Sequence, residues 1–223
     1  MHKVKKAILF AFSVLALSSC HQESNEEQLM VHLDGRIKPQ LLSLEIVDNS
    51  NSSCVSWDLS QELSPMLHHE LKNFGSLYIK NIDFLDEEVD IFELNKSIQR
   101  NPKIIKSKIA KTEFISAIEI FEHKVIPIRQ KIQTSHQKAQ TCLLSIKARV
   151  KVFDLRKSQP ELVLSEIVHY ESSIPWQLSN IDYRKTNYLT TQYKLTPLAL
   201  GHKHLVSNMA KKIHDYVLLA KSK

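Results

Sequence analysis

Residues 139–157 constrain the fold more strongly than any other stretch of this 223-residue chain. The stretch reads AQTCLLSIKARVKVFDLRK, in which apolar and polar side chains alternate. Because successive side chains of a strand point to opposite faces, the alternation predicts a long strand with one buried face. The turn sequence KSQP and the segment ELVLSEIVHYES then predict a second strand that pairs with the first as a hairpin. The side chains predicted to be buried on the first strand are Leu144, Ile146, Ala148, Val150 and Val152.

Upstream of the hairpin, strand and helix patterns alternate. LLSLEIVD, SLYIKNI and EFISAIEIFEHKV predict strands, and the leucines between the first two recur at helical spacing. That helix either runs through Pro65 with a kink or begins at Ser64 and Pro65, and Gly75 ends it. A second helix is predicted at residues 84–98, and another helical stretch follows Pro102.

The strand at residues 113–125 is predicted to have two faces. Regular pleating places alternate residues on opposite sides of the sheet. One side holds Phe114, Ser116, Ile118 and Ile120, and the other holds Ile115, Ala117, Phe121 and Val125.

Thr196 and Pro197 predict the start of a closing helix, as cap and first-turn residue. Its buried stripe is predicted to be Leu198, Leu205, Met209, Ile213 and Tyr216 or Val217. The whole order is then β-α-β-α-β-β-β-α. It predicts one α/β (α+β) domain at residues 41–223, a mixed β-sheet with helices packed on it.

This order resembles the fold shared by the N-terminal domain of TolB, the curli-secretion lipoprotein CsgG and the penicillin-binding-protein activator LpoB. In those domains a helix of the type L-S-x-x-L-x-x-x-L leads to L-x-x-x-G-x-x-x-I. The matching positions here are Leu59, Ser60, Leu63, Leu67, Leu71, Gly75 and Ile79. The resemblance covers nearly all of residues 41–219, and the group has no catalytic motif that could be carried over. The segment at residues 172–196 is longer than the resemblance implies.

The first nineteen residues have the features of a secretory signal peptide. Lys3, Lys5 and Lys6 form a charged start, and an apolar core runs over residues 7–17. This core is too short to cross a bilayer, which needs about 20 apolar residues. Without residues 1–19 the formal net charge falls from +6 to +3, because three lysines are removed. The basic character is therefore partly that of the signal, and export argues against a nucleic-acid partner.

The end of this segment, Leu17-Ser18-Ser19-Cys20, resembles the lipobox of bacterial lipoproteins. The resemblance implies cleavage between Ser19 and Cys20, a diacylglycerol on the Cys20 thiol and an acyl chain on its new amine. Residues 20–40 are polar and acidic at first, which predicts a flexible tether to the domain. In that family an aspartate after the cysteine favours the inner membrane. In this chain the residue after Cys20 is His21, which favours the outer membrane, with the domain facing the periplasm.

Cys54 and Cys142 remain after lipidation of Cys20, and the sequence leaves open a disulfide between them or two separate thiols. Eleven histidines suggest a metal site, but the adjacent pair His68 and His69 lacks the i, i+4 spacing of helical ligands. His202 and His204 lack it too, so no metal is expected. Only three glycines are present, and no glycine-rich phosphate loop exists among them.

Two surfaces are candidates for contact with a partner. Trp176, Tyr183, Tyr188 and Tyr193 lie in a segment without clear period, where they either contact a partner or cover the sheet as core. Lys147, Arg149 and Lys151, expected with Ser145 on the solvent face of the hairpin, form either a basic strip for anionic ligands or an ordinary solvated face.

These features predict a non-enzymatic lipoprotein of the outer membrane that binds another envelope protein as an assembly factor or activator. It would need no small-molecule cofactor besides its covalent lipid. The alternative is a lipid- or lipopolysaccharide-handling lipoprotein that works with an outer-membrane barrel. A third hypothesis, an envelope hydrolase, requires serine, histidine and acidic side chains that cluster in a cleft.

Overall fold

A computed structural model describes residues 30–80, 95, 112–129, 140–175, 178, 183 and 187–223. The predicted signal peptide, Cys20, Trp176 and the helical stretches around residues 84–109 lie outside these residues, apart from Asn95. Strands are present at β1 (Gln40–Ser43), β2 (Val47–Asp48), β3 (Tyr78–Lys80), β4 (Phe114–Arg129), β5 (Gln140–Asp154) and β6 (Glu161–Pro175). Helices are present at α1 (Leu59–Asn73), α2 (Thr191–Lys194) and α3 (Pro197–Lys221).

The strands form one mixed sheet in the order β3-β1-β4-β5-β6, and β2 pairs with β4. β1 is parallel to both β3 and β4, whereas β4, β5 and β6 are antiparallel to one another. Helices α1 and α3 contact each other, and α3 also contacts β5 and β6. The predicted fold class, a mixed sheet with helices packed on it, is confirmed.

The long strand β5 has the buried face that its alternation predicts. All five apolar side chains of that face are fully buried in the core beneath the helices. Ser145, which was expected to face water, is buried as well. Its hydroxyl donates to Glu122 Oε1 at 2.9 Å, so the buried group has a partner. The turn after Asp154 returns the chain as β6, as predicted.

Helix α1 begins before the proline rather than at it. Asp58 caps the helix by accepting a hydrogen bond from the Ser60 backbone N–H at 2.8 Å, and Pro65 lies inside the helix. The Ser64 hydroxyl accepts the Ile46 backbone N–H at 2.9 Å, so it binds α1 to the preceding loop instead of capping the helix. Gly75 follows the helix with φ +68°, a conformation that glycine adopts without strain.

A β-bulge in β4 changes which side chains face the helices. The register shifts between Ile120 and Glu122, after which His123 is paired with Ile146 and Val125 with Leu144. Before the bulge, Ile118 and Ile120 face the helices, and after it His123 and Val125 do so. The prediction that Val125 lies on the opposite face from Ile118 is therefore wrong, because a bulge adds one residue and inverts the alternation.

Helix α3 has the start and the buried stripe that the sequence predicts. The Thr196 hydroxyl accepts the Ala199 backbone N–H at 3.2 Å, and Pro197 is the first helical residue. Of the two alternatives for the last stripe position, Val217 is buried and Tyr216 is exposed. None of the helices in the described part of the chain is long and apolar enough to span a bilayer.

Gly201 allows α3 to lie close to the sheet. A Cβ atom at this position would be 2.6 Å from Leu144 Cδ2 and 2.9 Å from Tyr170 Cε1. Both distances are shorter than any ordinary carbon contact, so a larger residue would have to displace β5 or β6 side chains.

We expect Gly201→Val to lower the free energy of unfolding by about 2 kcal/mol or more, because overpacking a core costs about 1–3 kcal/mol. Ser207→Val is the matched control, since it places the same branched side chain at an exposed position of α3. Urea denaturation of both variants measures the difference. Equal losses in the two variants would contradict a close approach at Gly201.

Candidate functional site

Five side chains from distant parts of the chain form a buried polar cluster between the helices and the sheet. They are Ser52, Glu62, His123, Tyr193 and His202. The exposed fraction is 5% for Glu62, 1% for His123 and 0% for His202. Buried polar groups are costly unless each finds a partner, so the contacts within this cluster determine whether it stabilises the fold.

The carboxylate of Glu62, in the first turn of α1, is the acceptor at one end of the cluster. Its Oε1 accepts the Tyr193 hydroxyl at 2.8 Å and lies 2.9 Å from His202 Nδ1. Its Oε2 accepts the Trp57 indole N–H at 3.0 Å. Both carboxylate oxygens are therefore hydrogen-bonded inside the protein.

The two histidines carry the hydrogen bonds from Glu62 to the loop after β2. His202 Nε2 lies 3.0 Å from His123 Nε2, and His123 Nδ1 lies 2.6 Å from Ser52 Oγ. A proton assignment that is compatible with all these contacts begins at the carboxylate, which can only accept. His202 then donates from Nδ1, His123 donates from Nε2 to His202, and Ser52 donates its hydroxyl to His123. Ser52 Oγ in turn accepts the backbone N–H of Cys54 at 3.2 Å.

Burial keeps His123 and Tyr193 in their uncharged forms. Desolvation, with a smaller contribution from His202, lowers the pKa of His123 from 6.5 to about 3. Desolvation also raises the pKa of the Tyr193 hydroxyl, and the adjacent Glu62 raises it further. Both directions agree with the proton assignment, in which neutral His123 accepts from Ser52 and Tyr193 donates to Glu62.

The cluster contains residue types that a hydrolase also uses. His123, His202 and Glu62 are at most 5% exposed, whereas Ser52 is half-buried. The hydrogen bonds join segments that are 71 to 140 residues apart. The arrangement therefore holds the loop after β2, α1, β4 and α3 together.

Sequence reasoning missed this cluster because no local pattern marks it. His123 faces the core only because of the bulge in β4, and regular alternation gives no sign of it. In the sequence, His202 draws attention only together with His204, as a possible pair of metal ligands. In the structure His202 points inward, whereas His204 is exposed and stacks on Tyr170 with ring centroids 5.8 Å apart. Gly201, next to His202, is a weak signal in the sequence, because a glycine inside a helix can indicate a close packing contact.

An apolar cavity of about 530 Å³, here called the helix groove, lies beside the cluster. Its floor includes Glu62 and Tyr193, which belong to the cluster. The remaining lining residues come from α1, the segment before α2, α2 itself and α3: Gln61, Pro65, Met66, Tyr188, Leu189, Lys194, Ala199, Leu200 and Lys203. The groove thus joins the buried polar cluster to the protein surface.

Large apolar side chains remain exposed around the helix groove. Leu189 is 70% exposed and Leu200 is 50% exposed, and both line the groove. Leu195, directly after α2, is 79% exposed. Single exposed leucines are common, but two that line the same apolar cavity make the helix groove a candidate binding surface.

The aromatic segment is divided between core and surface. Tyr183 and Tyr193 are buried and pack edge to face, which corrects the candidate assignment of these two as partner contacts. Tyr188 is half-buried, lines the helix groove and packs against Trp57, so it remains a candidate for contact. Trp176 lies outside the described residues.

The other candidate residues are structural in this fold. Cys54 and Cys142 are not joined by a disulfide, which corrects the possible pairing: Cys54 lies in the loop after β2 and Cys142 is a core residue of β5. Among the described residues, no group of three or more potential ligands could hold a metal ion.

The basic strip on β5 is balanced by acidic residues of β4. Lys147 is 3.0 Å from Glu122, and Arg149 is 2.8 Å from Glu119. The hydrogen bond from Lys147, with one from Ser145, lowers the pKa of Glu122 to about 2. Cross-strand pairs of opposite charge stabilise a hairpin, so Lys147 and Arg149 serve this role in the sheet.

The depressed pKa of His123 predicts a loss of stability in mild acid. The unfolded chain takes up a proton near pH 6.5 and the folded chain does so only near pH 3, so the stabilisation is complete above pH 6.5 and declines below it. We expect the free energy of unfolding to fall by about 2 kcal/mol between pH 7 and pH 5 because of His123. Urea titrations at the two pH values measure this difference.

Two variants separate this contribution from other titrating groups. In His123→Leu the pH-dependent loss should shrink by about 2 kcal/mol, although the variant is less stable at pH 7 because Ser52 and His202 lose their partner. His69→Gln alters an exposed histidine of α1 and should keep the full dependence. If His123→Leu retains the same loss as the unchanged chain, His123 does not titrate as described.

Solved structures of other bacterial proteins are similar to this fold to different degrees. The hypothetical protein CT253 from Chlamydia trachomatis aligns with a TM-score of 0.61 at 19% identity, over 81% of this chain and 98% of that one. It has the same fold. Lipoprotein GNA1162 from Neisseria meningitidis aligns with a TM-score of 0.38 at 11% identity, over 79% of this chain and 99% of that one. A TM-score this low supports no argument about the present chain.

Sequence comparison assigns the chain to a family. No curated protein matches the sequence. One family model, DUF7499, described as a family of unknown function, matches residues 27–221. The match covers most of the chain and all of the strands and helices described above, so the protein belongs to the DUF7499 family.

Proposed function

We propose that this protein is a bacterial envelope lipoprotein that works by binding rather than by catalysis. Lipidated Cys20 holds it at the outer membrane, and the domain faces the periplasm. There it binds another envelope protein as an assembly factor or activator. The observation that carries the binding role is the pair of exposed leucines, Leu189 and Leu200, that line the helix groove, together with exposed Leu195, the residue after Lys194 of the groove wall.

The proposed anchor is supported by the order of the N-terminal features. A charged start, an apolar core and the lipobox-like Leu17-Ser18-Ser19-Cys20 follow one another. The DUF7499 match begins at residue 27, after Cys20, so the proposed anchor and the matched domain do not overlap. More than one acyl chain makes anchoring durable, since each buried methylene adds about 0.8 kcal/mol.

The proposed binding surface is supported by its chemistry and position. Leu189 and Leu195 lie on either side of the short helix α2, and Leu200 lies in the first turn of α3. All three are apolar and exposed, and Leu189 and Leu200 line the groove together with the polar residues Gln61, Lys194 and Lys203. An apolar centre with a polar rim is typical of protein–protein contact. A membrane anchor would raise the local concentration of this surface near its partners.

A second candidate, lipid handling, is favoured by one observation. The helix groove is a concave cavity of about 530 Å³, which is within the usual size range of small-molecule sites. A flat protein contact does not require such a cavity.

Fatty-acid labelling in a bacterial host tests the anchor. We expect the full-length protein to incorporate radioactive palmitate and to fractionate with the outer membrane. Cys20→Ala should abolish the label, whereas Cys54→Ala should retain it, since only Cys20 follows the lipobox-like residues. An unlabelled chain, or a label that persists in Cys20→Ala, would refute the proposed anchor.

A photo-crosslinking residue placed at Leu195 tests the binding surface. In intact cells we expect one discrete adduct with an envelope protein. Leu219, which is 53% exposed at the far end of α3, provides a matched control position that should give no such adduct. The substitution Leu195→Asp should remove co-purification of the partner without a change in melting temperature. The same adduct from both positions would indicate non-specific contact and contradict the proposal.

A further inference from the structure

We propose that the helix groove binds a long-chain fatty acid, with the acyl chain along the apolar walls and the carboxylate between Lys194 and Lys203. This inference rests on the proposed function only for its location, since the cell envelope is where such amphiphiles occur. It names a specific ligand class for the second candidate function, lipid handling, at the same groove.

The walls and floor of the groove suit an acyl chain. Pro65, Met66, Leu189, Ala199 and Leu200 supply the apolar walls. Glu62 and Tyr193 are the polar groups of the floor, and their hydrogen bonds are made inside the buried polar cluster. An apolar ligand would therefore leave no polar floor atom without a partner, which removes the usual cost of covering such atoms.

The rim of the groove favours a negative head group. Lys194 ends α2 and Lys203 lies in the second turn of α3, and both side chains are exposed and line the cavity. The one acidic residue among the lining residues, Glu62, is 5% exposed and already accepts hydrogen bonds from Trp57 and Tyr193. Two surface ammonium groups beside an apolar cavity match a ligand with one anionic end.

The groove suits an acyl chain better than a peptide. Its long walls are the helices α1 and α3, most of whose backbone groups are hydrogen-bonded within each helix or to its cap. The Gln61 carbonyl is an exception, because Pro65 has no N–H to donate to it. A peptide in an extended conformation would bring backbone N–H and C=O groups that find few partners on such walls. A fatty acid has no polar group except its carboxylate, so the lysines at the rim satisfy it completely.

Fluorescence titration of the full-length protein in phosphatidylcholine vesicles tests this proposal, with protein-free vesicles as the blank. We expect a dansyl-labelled fatty acid to give a saturable rise in emission. Palmitate should displace it, whereas methyl palmitate, which lacks the charge, should compete at least tenfold less well. If methyl palmitate displaces the dansyl-labelled fatty acid as well as palmitate does, the proposed role of the lysines is overturned.

Substitutions locate the site. Combined Lys194→Glu and Lys203→Glu changes should weaken binding about tenfold or more, because two exposed ion pairs are lost and replaced by repulsion. Lys211→Glu, an exposed position of α3 outside the groove, should leave binding unchanged. Leu200→Trp should fill the groove and abolish binding. Leu219→Trp, at a similarly exposed leucine of the same helix, should retain it.

The outcomes separate this inference from the proposed function. Absence of saturable binding, or binding that survives Leu200→Trp, overturns the fatty-acid site. A protein adduct at Leu195 together with no fatty-acid binding would leave the proposed partner-binding role intact and refute only the ligand. Palmitate label on Cys20 reports the anchor alone, because it is covalent and resists extraction, whereas a ligand in the groove is removed by organic solvent.

Discussion

The hydrogen bonds between Glu62 and the residues around it are the interaction on which this fold depends. A carboxylate with 5% exposure is unfavourable unless its oxygens are paired, and here Trp57, Tyr193 and His202 pair them. These partners come from the loop before α1, from α2 and from α3. Hydrogen bonds are directional, so the bond between Glu62 and His202 restricts how α1 and α3 are aligned.

Gly201 and the bulge in β4 place the two histidines where they can meet. The missing side chain at Gly201 lets α3 approach β5 and β6, and the next residue, His202, then points into the core. The bulge turns His123 towards the same space from the sheet. Each feature is a local departure from regular structure, and together they explain a histidine contact of 3.0 Å across the interface between α3 and the sheet.

The elements of the fold were predictable from sequence to the extent that they follow a regular period. The alternation in β5 specifies which of its apolar side chains are buried, and the cap specifies where α3 begins. The structure agrees with both. The bulge was not predictable, because one inserted residue reverses which face of the sheet each later side chain of β4 lies on, and the composition of the strand gives no sign of it. The helix groove was also hidden, since one part of its wall comes from α1 and the other from α2 and α3, which follow far later in the sequence. Of the aromatic candidates, Tyr188 is the one that the structure places on the groove wall while leaving it partly exposed.

The packing of α3 has a consequence for how the domain opens. Its 25 residues supply His202, and the helix contacts both strands of the β5–β6 hairpin as well as α1. An opening that moves α3 away from the sheet exposes the apolar face of the hairpin to water and removes one hydrogen-bond partner of Glu62 in the same step. Helix α3 and the hairpin therefore form one cooperative unit, which opens as a whole and does not fray one element at a time.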